Sequence, residues 1–189
     1  MTDLVLAGER TALRPCGAGD RDVLHALWTD PDVRRYLWDD RVIVPPEVDA
    51  VIARSIDCFE RRGFGVWVVH PAQQKGDGLL MGFCGLAEVE DSPEVELLYG
   101  FHPRHWGRGL ATEVSRVLFR HGFESLDLTR IVARTDPPNR NSVRVMEALG
   151  MSFEWEQTVH GLPTLQYALA RADFLRTGGH SELDARRAQ

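Results

Sequence analysis

A glycine-rich segment between a predicted strand and a predicted helix constrains this chain more than any other feature. The segment reads W-G-R-G-L-A over residues 106–111, and the apolar residues after it recur at helical spacing. Such a turn presents free backbone N–H groups and the positive end of a helix dipole, which together bind phosphate oxygens. It lacks the Lys-Ser/Thr of a P-loop and the spacing of a dinucleotide fingerprint. It is therefore either a cradle for another phosphate-bearing ligand or a structural turn whose glycines serve packing.

Short strands and helices alternate along the rest of the chain. Apolar and polar residues alternate over 11–15, and helical spacing follows at 20–30 and at 45–63. Three β-rich runs at 64–70, 79–87 and 94–101, separated by turns, predict an antiparallel meander. The pattern is completed by a helix from 110 that closes at Gly122, a strand at 129–133, a short helix stopped by Gly150, and strands at 153–159 and 164–170.

Length and composition predict one α+β domain. The chain has 189 residues, of which 43 % are hydrophobic and 26 % are charged, close to the average for globular domains. No internal repeat and no change of composition marks a linker. We expect a single domain over residues 1–189, with its core at about 9–174 and a frayed tail at 178–189.

Charge, hydropathy and cysteine spacing exclude several classes of protein. A net charge of −6 speaks against a dedicated nucleic-acid binder, which needs a basic face. No apolar stretch approaches the ~20 residues that span a bilayer, and Asp3 and Glu9 interrupt any signal peptide. Cys16, Cys58 and Cys84 lie far apart without metal-ligand spacing, so they predict reduced thiols and no metal site. We expect a soluble, cytoplasmic protein without a membrane partner.

Two motifs at a characteristic separation carry a family resemblance. Y-G-F-H-P at 99–103 and W-G-R-G-L-A-T at 106–112 are followed by N-R-N-S-V-R-V-M-E-A-L-G-M at 139–151. This arrangement resembles the GCN5-related N-acetyltransferase (GNAT) superfamily over about residues 9–174. The L-W-T-D-P-D-V run at 27–33 and the tryptophan at the start of the cradle resemble the RimJ/RimL-type ribosomal-protein N-acetyltransferases.

The resemblance implies a fold and a site for the acetyl donor. It implies a mixed, mostly antiparallel sheet that splays after the fourth predicted strand, residues 94–101, with flanking helices. Acetyl-CoA, the co-substrate, then places its pantetheine arm in the gap and its pyrophosphate on the cradle. The cofactor-binding residues that it implies are Phe101, His102, Trp106, Gly107, Arg108, Gly109, Leu110, Ala111, Thr112, Asn139 and Ser142. Trp106 is alternatively a packing residue, and Asn139 alternatively organises the loop before its helix.

Acetyl transfer to an amine needs a base, a hydrogen-bond donor to the thioester carbonyl and an acid for the departing thiolate. We expect the amide near Phe101 to polarise the carbonyl. The resemblance implies Glu96 as the base, directly or through water, with Glu88 as the runner-up. Either residue is alternatively a solvent-facing strand carboxylate. Met146 stands where many superfamily members have an acidic tyrosine, so Ser142 is the expected acid, or else only a helix cap.

The predicted activity is transfer of an acetyl group from acetyl-CoA to a primary amine by direct attack in a ternary complex. Tyr99 and Tyr167 are lesser candidates for the acid, because buried tyrosines more often tie down strands. The acceptor is either a protein N-terminus, attracted by an acidic groove, or a small-molecule amine. The first two predicted helices and the loops at 38–41 and 160–163 decide the acceptor, and they contain no recognisable code. Trp38 is either a wall of the acceptor pocket or a core residue.

The sequence also leaves open a non-enzymatic function and a homodimeric state. A non-catalytic CoA-binding sensor or interaction module is the alternative to an enzyme, because the usual tyrosine is missing. A homodimer is compatible with the exposed strand edges of the predicted sheet.

Overall fold

The computed structural model describes residues 4–73, 79–90 and 92–177, which form one sheet with helices on both faces. The strands of this described part are β1 (Leu6–Ala7), β2 (Thr11–Pro15), β3 (Val66–Pro71), β4 (Gly82–Glu88), β5 (Val95–Phe101), β6 (Arg130–Thr135), β7 (Ser152–Val159) and β8 (Leu162–Ala170). Its α-helices are α1 (Arg21–Thr29), α2 (Pro31–Arg34), α3 (Pro45–Arg62), α4 (Leu110–Arg120), α5 (Arg140–Ala148) and α6 (Arg171–Arg176). The predicted single-domain α+β fold is confirmed.

The sheet is mixed and mostly antiparallel, as predicted. Its strand order is β1-β2-β3-β4-β5-β6-β8-β7, and every neighbouring pair is antiparallel except β5 and β6. That parallel pair needs a crossover connection, and α4 lies within it. In the described strands, β5 and β6 pair at a single position, where Glu96 lies opposite Val132. The C-terminal halves of β5 and β6 are therefore unpaired with each other, which opens a gap in the middle of the sheet.

A separate apolar core covers each face of the sheet. On one face α1 and α3 pack Leu24, Trp28 and Ile52 against residues of β3 and β4. On the other face α4 and α5 pack Leu118 and Met146 against the central strands. Because burying one such side chain stabilises the fold by roughly 1.5–3 kcal/mol, the two cores hold α3 and α4 firmly on opposite sides of the gap.

Two helix ends agree with their predicted signals, and one does not. α3 ends before Gly63 and α5 before Gly150, and both glycines are left-handed, with φ of 74° and 78°. The predicted stop at Gly122 is wrong, because helical backbone continues after α4 through a π-helical turn at His121–Ser125. A Cβ on Gly122 would meet Ile131, Leu128 and Leu86 at 3.1 to 3.4 Å. This glycine is thus required for close packing and does not end the helix.

Three short elements of the structure were not predicted from the sequence. β1, α2 and α6 have 2, 4 and 6 residues, too few for apolar periodicity to show. The predicted tail at 178–189 lies outside the described residues, as do 74–78 and Asp91 in the predicted loops. Within the described part of the chain, no helix is long and apolar enough to cross a membrane.

Candidate active site

The cradle is a left-handed turn that leads directly into α4. Gly107 and Gly109 have φ of 69° and 73°, a conformation that side chains with a Cβ rarely adopt. Gly109 is the N-terminal cap of α4, and no described side chain caps the helix in its place. The first amides of α4 therefore lack a partner within the helix and are available to a ligand. Since a helix N-terminus attracts negative charge, the geometry fits a phosphate group.

A second segment, distant in sequence, holds the cradle in place. Arg10, between β1 and β2, donates from Nη1 to the carbonyl of Arg108 at 2.9 Å and from Nε to Glu113 at 2.7 Å. The Arg10 amide and the Thr11 hydroxyl also donate to Glu113, at 2.9 and 2.8 Å. Partial burial raises the pKa of Glu113, but these bonds outweigh it and hold that pKa below its usual value. Glu113 thus stays ionised and anchors the β1–β2 turn to the first turn of α4.

The end of β5 presents backbone groups toward the gap. The His102 amide donates to Met81 at 3.0 Å, which continues the β4–β5 ladder. Hydrogen bonding alternates along an antiparallel strand, so the amides of Tyr99 and Phe101 point the other way, toward the gap. The indole of Trp106 donates to the Phe101 carbonyl at 2.7 Å. The cradle and the strand end are thereby tied together, and the Phe101 amide remains available.

One cavity of about 1110 Å³ joins the cradle to the opposite face of the sheet. Its lining runs from the residues around the cradle, past the gap and α5, to α3 and the segment after α2. In the described part of the chain, charged groups of both signs line it: Arg35, Arg54, Arg61, Arg108, Arg134 and Arg144 against Asp32, Asp57 and Glu88. The acidic groove expected for a basic protein N-terminus is therefore wrong.

A strained turn begins at Trp38, one of the residues that line the cavity. Trp38, Asp39 and Asp40 follow one another in the left-handed region, with φ of 58°, 54° and 57°. For residues with a Cβ this conformation is costly and is kept only where the surroundings enforce it. The Trp38 ring packs 5.7 Å from that of Trp28 and also lines the cavity. Trp38 thus packs against the core and lines the cavity, and its role as a wall of the acceptor pocket stays a prediction.

A pair of hydroxyl groups lies where α5 meets β5. The Tyr99 hydroxyl is 2.7 Å from Ser142 Oγ, and both residues line the cavity. Burial raises the pKa of Tyr99 to about 12, so the phenol keeps its proton at neutral pH. Asn139 is the N-terminal cap of α5, because its Oδ1 accepts from the Ser142 amide at 3.2 Å. The cap is thus Asn139, and the Ser142 hydroxyl is left for the contact with Tyr99.

Met146 cannot supply a polar group to this site. It lies one turn after Ser142 on α5, is fully buried and belongs to the core between α4, α5 and the sheet. Tyr167, the other tyrosine considered, is buried in β8 and packs edge-on against Phe153 at 5.5 Å. It does not line the cavity.

Glu96 lies on the face of the sheet that carries α3, beside the gap. Burial raises the pKa of Glu96, and the charge and backbone N–H of Arg134 partly oppose that rise. Glu96 itself does not line the cavity, but its partner in register, Ala87, does, as does Arg134. Glu88 is tied up in ion pairs with Arg61 and Arg62, at 3.2 and 2.7 Å. Of the two carboxylates, only Glu88 is held in ion pairs at these distances.

The structure brings most of the predicted site residues together. Phe101, the cradle from Trp106 to Thr112, Asn139 and Ser142 line one cavity, whereas His102 and Glu96 lie next to it. Sequence reasoning missed Arg10, Glu113 and Arg134 and underrated Tyr99. No local pattern marks these residues, since their partners lie 98, 103, 32 and 43 positions away in the sequence. In the described ranges, no cluster of three or more metal-ligating side chains is present.

Comparisons with known proteins agree with this geometry. Residues 10–152 match the family described as acetyltransferase (GNAT) domain. The chain is 30 % identical over 155 residues to the uncharacterised N-acetyltransferase p20 of Bacillus licheniformis, covering 77 % of this chain and 81 % of that protein. Spermidine N-acetyltransferase from Vibrio cholerae, solved with CoA and spermine, has a similar fold, with a TM-score of 0.72, 20 % identity and coverage of 88 % and 98 %. The ribosomal-protein N-acetyltransferase RimL, solved with CoA, gives a TM-score of 0.72, 16 % identity and coverage of 88 % and 97 %.

The burial of Met146 leads to a stability prediction. We expect Met146→Tyr to lower the free energy of unfolding by about 1–3 kcal/mol, because the larger ring overpacks a filled core. Denaturant unfolding measures this. Ala148→Tyr is the matched control, since Ala148 is exposed on the same helix and its replacement leaves the core intact. Equal stability of the two variants would show that the side chain at 146 reaches the cavity instead.

Proposed function

The chain belongs to the acetyltransferase (GNAT) domain family, and from that premise we propose that it moves an acetyl group from acetyl-CoA directly onto a primary amine in a ternary complex. The observation that carries the proposal is the continuous cavity, which joins a phosphate cradle, an open strand edge and a pair of hydroxyl groups. A separate acetyl-enzyme intermediate would need a nucleophile. The three cysteines are buried, and burial raises the pKa of each thiol, which disfavours the reactive thiolate.

The donor half of the site follows from backbone geometry. The amides from Gly107 to Thr112 would hold the pyrophosphate, and Arg108 adds a positive charge. The free edge of β5 would pair with the amide groups of the pantetheine arm, much as an added strand pairs with a sheet edge. His102 and Asn139 flank this arm. The Phe101 amide is the donor for the thioester carbonyl, and the bond from Trp106 to the Phe101 carbonyl keeps it aimed at the gap.

Glu96 is the general base in this proposal. It would accept the amine proton through a relaying water, because its carboxylate lies next to the cavity and does not line it. Burial raises the pKa of Glu96 toward the neutral range, where a carboxylate is a more effective proton acceptor. The neutral amine then attacks the carbonyl carbon, an amide bond forms, and the carbon–sulfur bond breaks.

Ser142 and Tyr99 together supply the proton that the departing thiolate takes up. Both residues line the cavity: Ser142 gives its proton to the thiolate, and Tyr99 passes its own proton to the Ser142 oxygen across the 2.7 Å contact. The resulting Tyr99 phenolate takes up a proton from water before the next turnover. The elevated pKa of Tyr99 keeps the phenol protonated through the neutral range. This pair replaces the tyrosine that the core residue Met146 cannot provide.

The acceptor is a primary amine, either a small molecule or a protein N-terminus. Two structural relatives are named for spermidine and for a ribosomal protein, and so represent both classes. The excess of arginines over carboxylates in the lining speaks against an acceptor with several positive charges. That lining supports a small amine of low charge over a polyamine or a basic peptide, despite the RimJ/RimL-like cradle.

Three buried, unpaired cysteines support a reducing compartment such as the cytoplasm.

The first prediction here concerns donor binding. Acetyl-CoA at 100 times its dissociation constant stabilises a native protein by about 2.7 kcal/mol and so raises its Tm. We expect Gly109→Trp to abolish this rise, because the indole fills the phosphate position. Gly161→Trp is the control, since Gly161 is also left-handed, with φ of 85°, but lies in the β7–β8 turn. A normal Tm rise in Gly109→Trp would refute the cradle assignment.

The second prediction tests the base. We expect Glu96→Gln to lower kcat by about 10²–10⁴-fold while the affinity for CoA stays the same. In the unmodified protein kcat should fall as the pH drops through the raised pKa of Glu96, because protonation removes the acceptor. Glu88→Gln is the control and should leave the acid limb of the pH profile in place. Full activity of Glu96→Gln would exclude Glu96 as the base.

The third prediction tests the pair of hydroxyl groups. We expect Tyr99→Phe and Ser142→Ala each to lower kcat by about 10²-fold, and the double variant to be no slower than the worse single one. The reason is that both groups serve one proton path. Steady-state kinetics at saturating acetyl-CoA measures this, with Tyr167→Phe as the control. Independent, multiplicative losses would show that the two hydroxyls act separately.

A further inference from the structure

Five polar side chains form a closed ring on the face of the sheet that carries Glu96. Arg134 donates to Gln166 at 2.8 Å, and Gln166 donates to Glu154 at 3.1 Å. Arg130 binds both oxygens of Glu154 and also donates to Glu94 at 3.2 Å. Arg134 closes the ring with a longer contact to Glu94, at 3.4 Å. The ring spans β6, β7, β8 and the residue before β5.

The ring fixes the position of the Arg134 guanidinium. Its Nε and one terminal nitrogen are committed to Gln166 and Glu94, and its plane lies over the Trp155 ring at 5.8 Å. Arg134 also lines the cavity, and its side chain is 23 % exposed. An arginine side chain that is already held by several contacts loses little further conformational entropy when it interacts with a neighbouring charge. The positive charge of Arg134 is therefore preorganised.

The charges within the ring are divided unequally. Arg130 serves two carboxylates, with both its terminal nitrogens on Glu154 and close contact to Glu94 at 3.1 Å. Arg134 has a neutral amide as its close partner and reaches a carboxylate only at 3.4 Å. The positive charge of Arg134 is therefore the less neutralised of the two, and it lies beside Glu96, which is the next carboxylate along the same face.

The other charged groups near Glu96 are already paired. On its own strand segment Glu94 is a like charge, which is shared between the two ring arginines. On β4 the residue opposite Glu96 is Ala87, and the adjacent Glu88 is paired with Arg61 and Arg62 of α3. Asp57 of α3 is paired with Arg61 at 2.7 Å. Arg134 of β6 is the cation whose charge acts on Glu96, and the carboxylate also accepts from the backbone N–H of Arg134.

We propose that Arg134 is a positioning residue for the reaction: the polar ring holds its positive charge beside Glu96, the carboxylate that acts as the base. The inference rests on the proposed function, in which Glu96 accepts the amine proton. Burial without a nearby cation raises the pKa of a carboxylate, and only its ionised form can accept a proton. The charge of Arg134 opposes part of that rise, so the pKa of Glu96 is raised less than burial alone would raise it.

The test follows the ionisation of Glu96 directly. In Arg134→Gln we expect the carboxyl carbon of ¹³C-labelled Glu96, assigned by its loss in Glu96→Gln, to titrate about one pH unit higher than in the unmodified protein. The acid limb of kcat should move upward by the same amount. Arg171→Gln is the matched control, since Arg171 also makes a carboxylate bond and a carbonyl bond, to Asp127 and Phe123, and lies at the far end of β8. It should leave both titrations unchanged.

The outcomes separate this inference from the function on which it rests. An unchanged Glu96 titration in Arg134→Gln overturns the inference, whatever the activity. A Glu96 titration that moves while the acid limb of kcat stays in place supports the electrostatic role of Arg134 and overturns Glu96 as the base. If Arg134→Gln does not fold, Arg134→Met carries the same test, because it also removes the charge and keeps an unbranched side chain. The Glu96 titration should then move in the same direction, and an unchanged titration again overturns the inference.

Discussion

The loss of pairing between β5 and β6 is the constraint on which the site depends. The two strands are in register at Glu96 and Val132, and beyond that point the edge of β5 carries backbone groups that no described strand pairs with. Unpaired amides and carbonyls are costly inside a protein unless a ligand or water satisfies them. The gap is stable because α3 and α4 are fixed on opposite faces by separate apolar cores. An extended ligand with amide groups satisfies such an edge, which is what acetyl-CoA offers.

The phosphate end and the reactive end of the donor site are mechanically linked. Trp106 opens the cradle and, through its indole N–H, holds the carbonyl of Phe101 at the end of β5. Arg10 holds the other side of the cradle through Arg108 and Glu113. Neither bond contributes much stability alone, since a typical hydrogen bond is worth ~0.5–1.5 kcal/mol net. Together they fix backbone donors before a substrate arrives, so less ordering remains to be done at binding.

The surroundings of Glu96 and Tyr99, the two groups proposed to transfer protons, change their pKa values. Glu96 and Tyr99 are three residues apart on opposite faces of β5, and burial raises the pKa of both. For Glu96 the nearby charge of Arg134 limits the rise in pKa. Tyr99 contacts the hydroxyl and the backbone carbonyl of Ser142, and no cation in the described residues offsets the effect of burial, so its phenol keeps its proton at neutral pH. In the proposed mechanism, β5 thus presents the base on the side of α3 and the acid on the side of α5, with the gap between them.

The sequence by itself determined the elements and the cradle, because both depend on neighbours along the chain. Apolar spacing placed β2 to β8 and the longer helices, and the glycines of W-G-R-G-L-A marked the left-handed turn before α4. Local spacing failed at Gly122, where packing against Ile131 and Leu86 outweighs the usual meaning of a glycine. Only the tertiary structure decided that Met146 is core, that Tyr99 meets Ser142 and that Arg134 lies beside Glu96. Those contacts join residues that are distant in sequence, and burial and charge act through space, where no pattern along the chain records them.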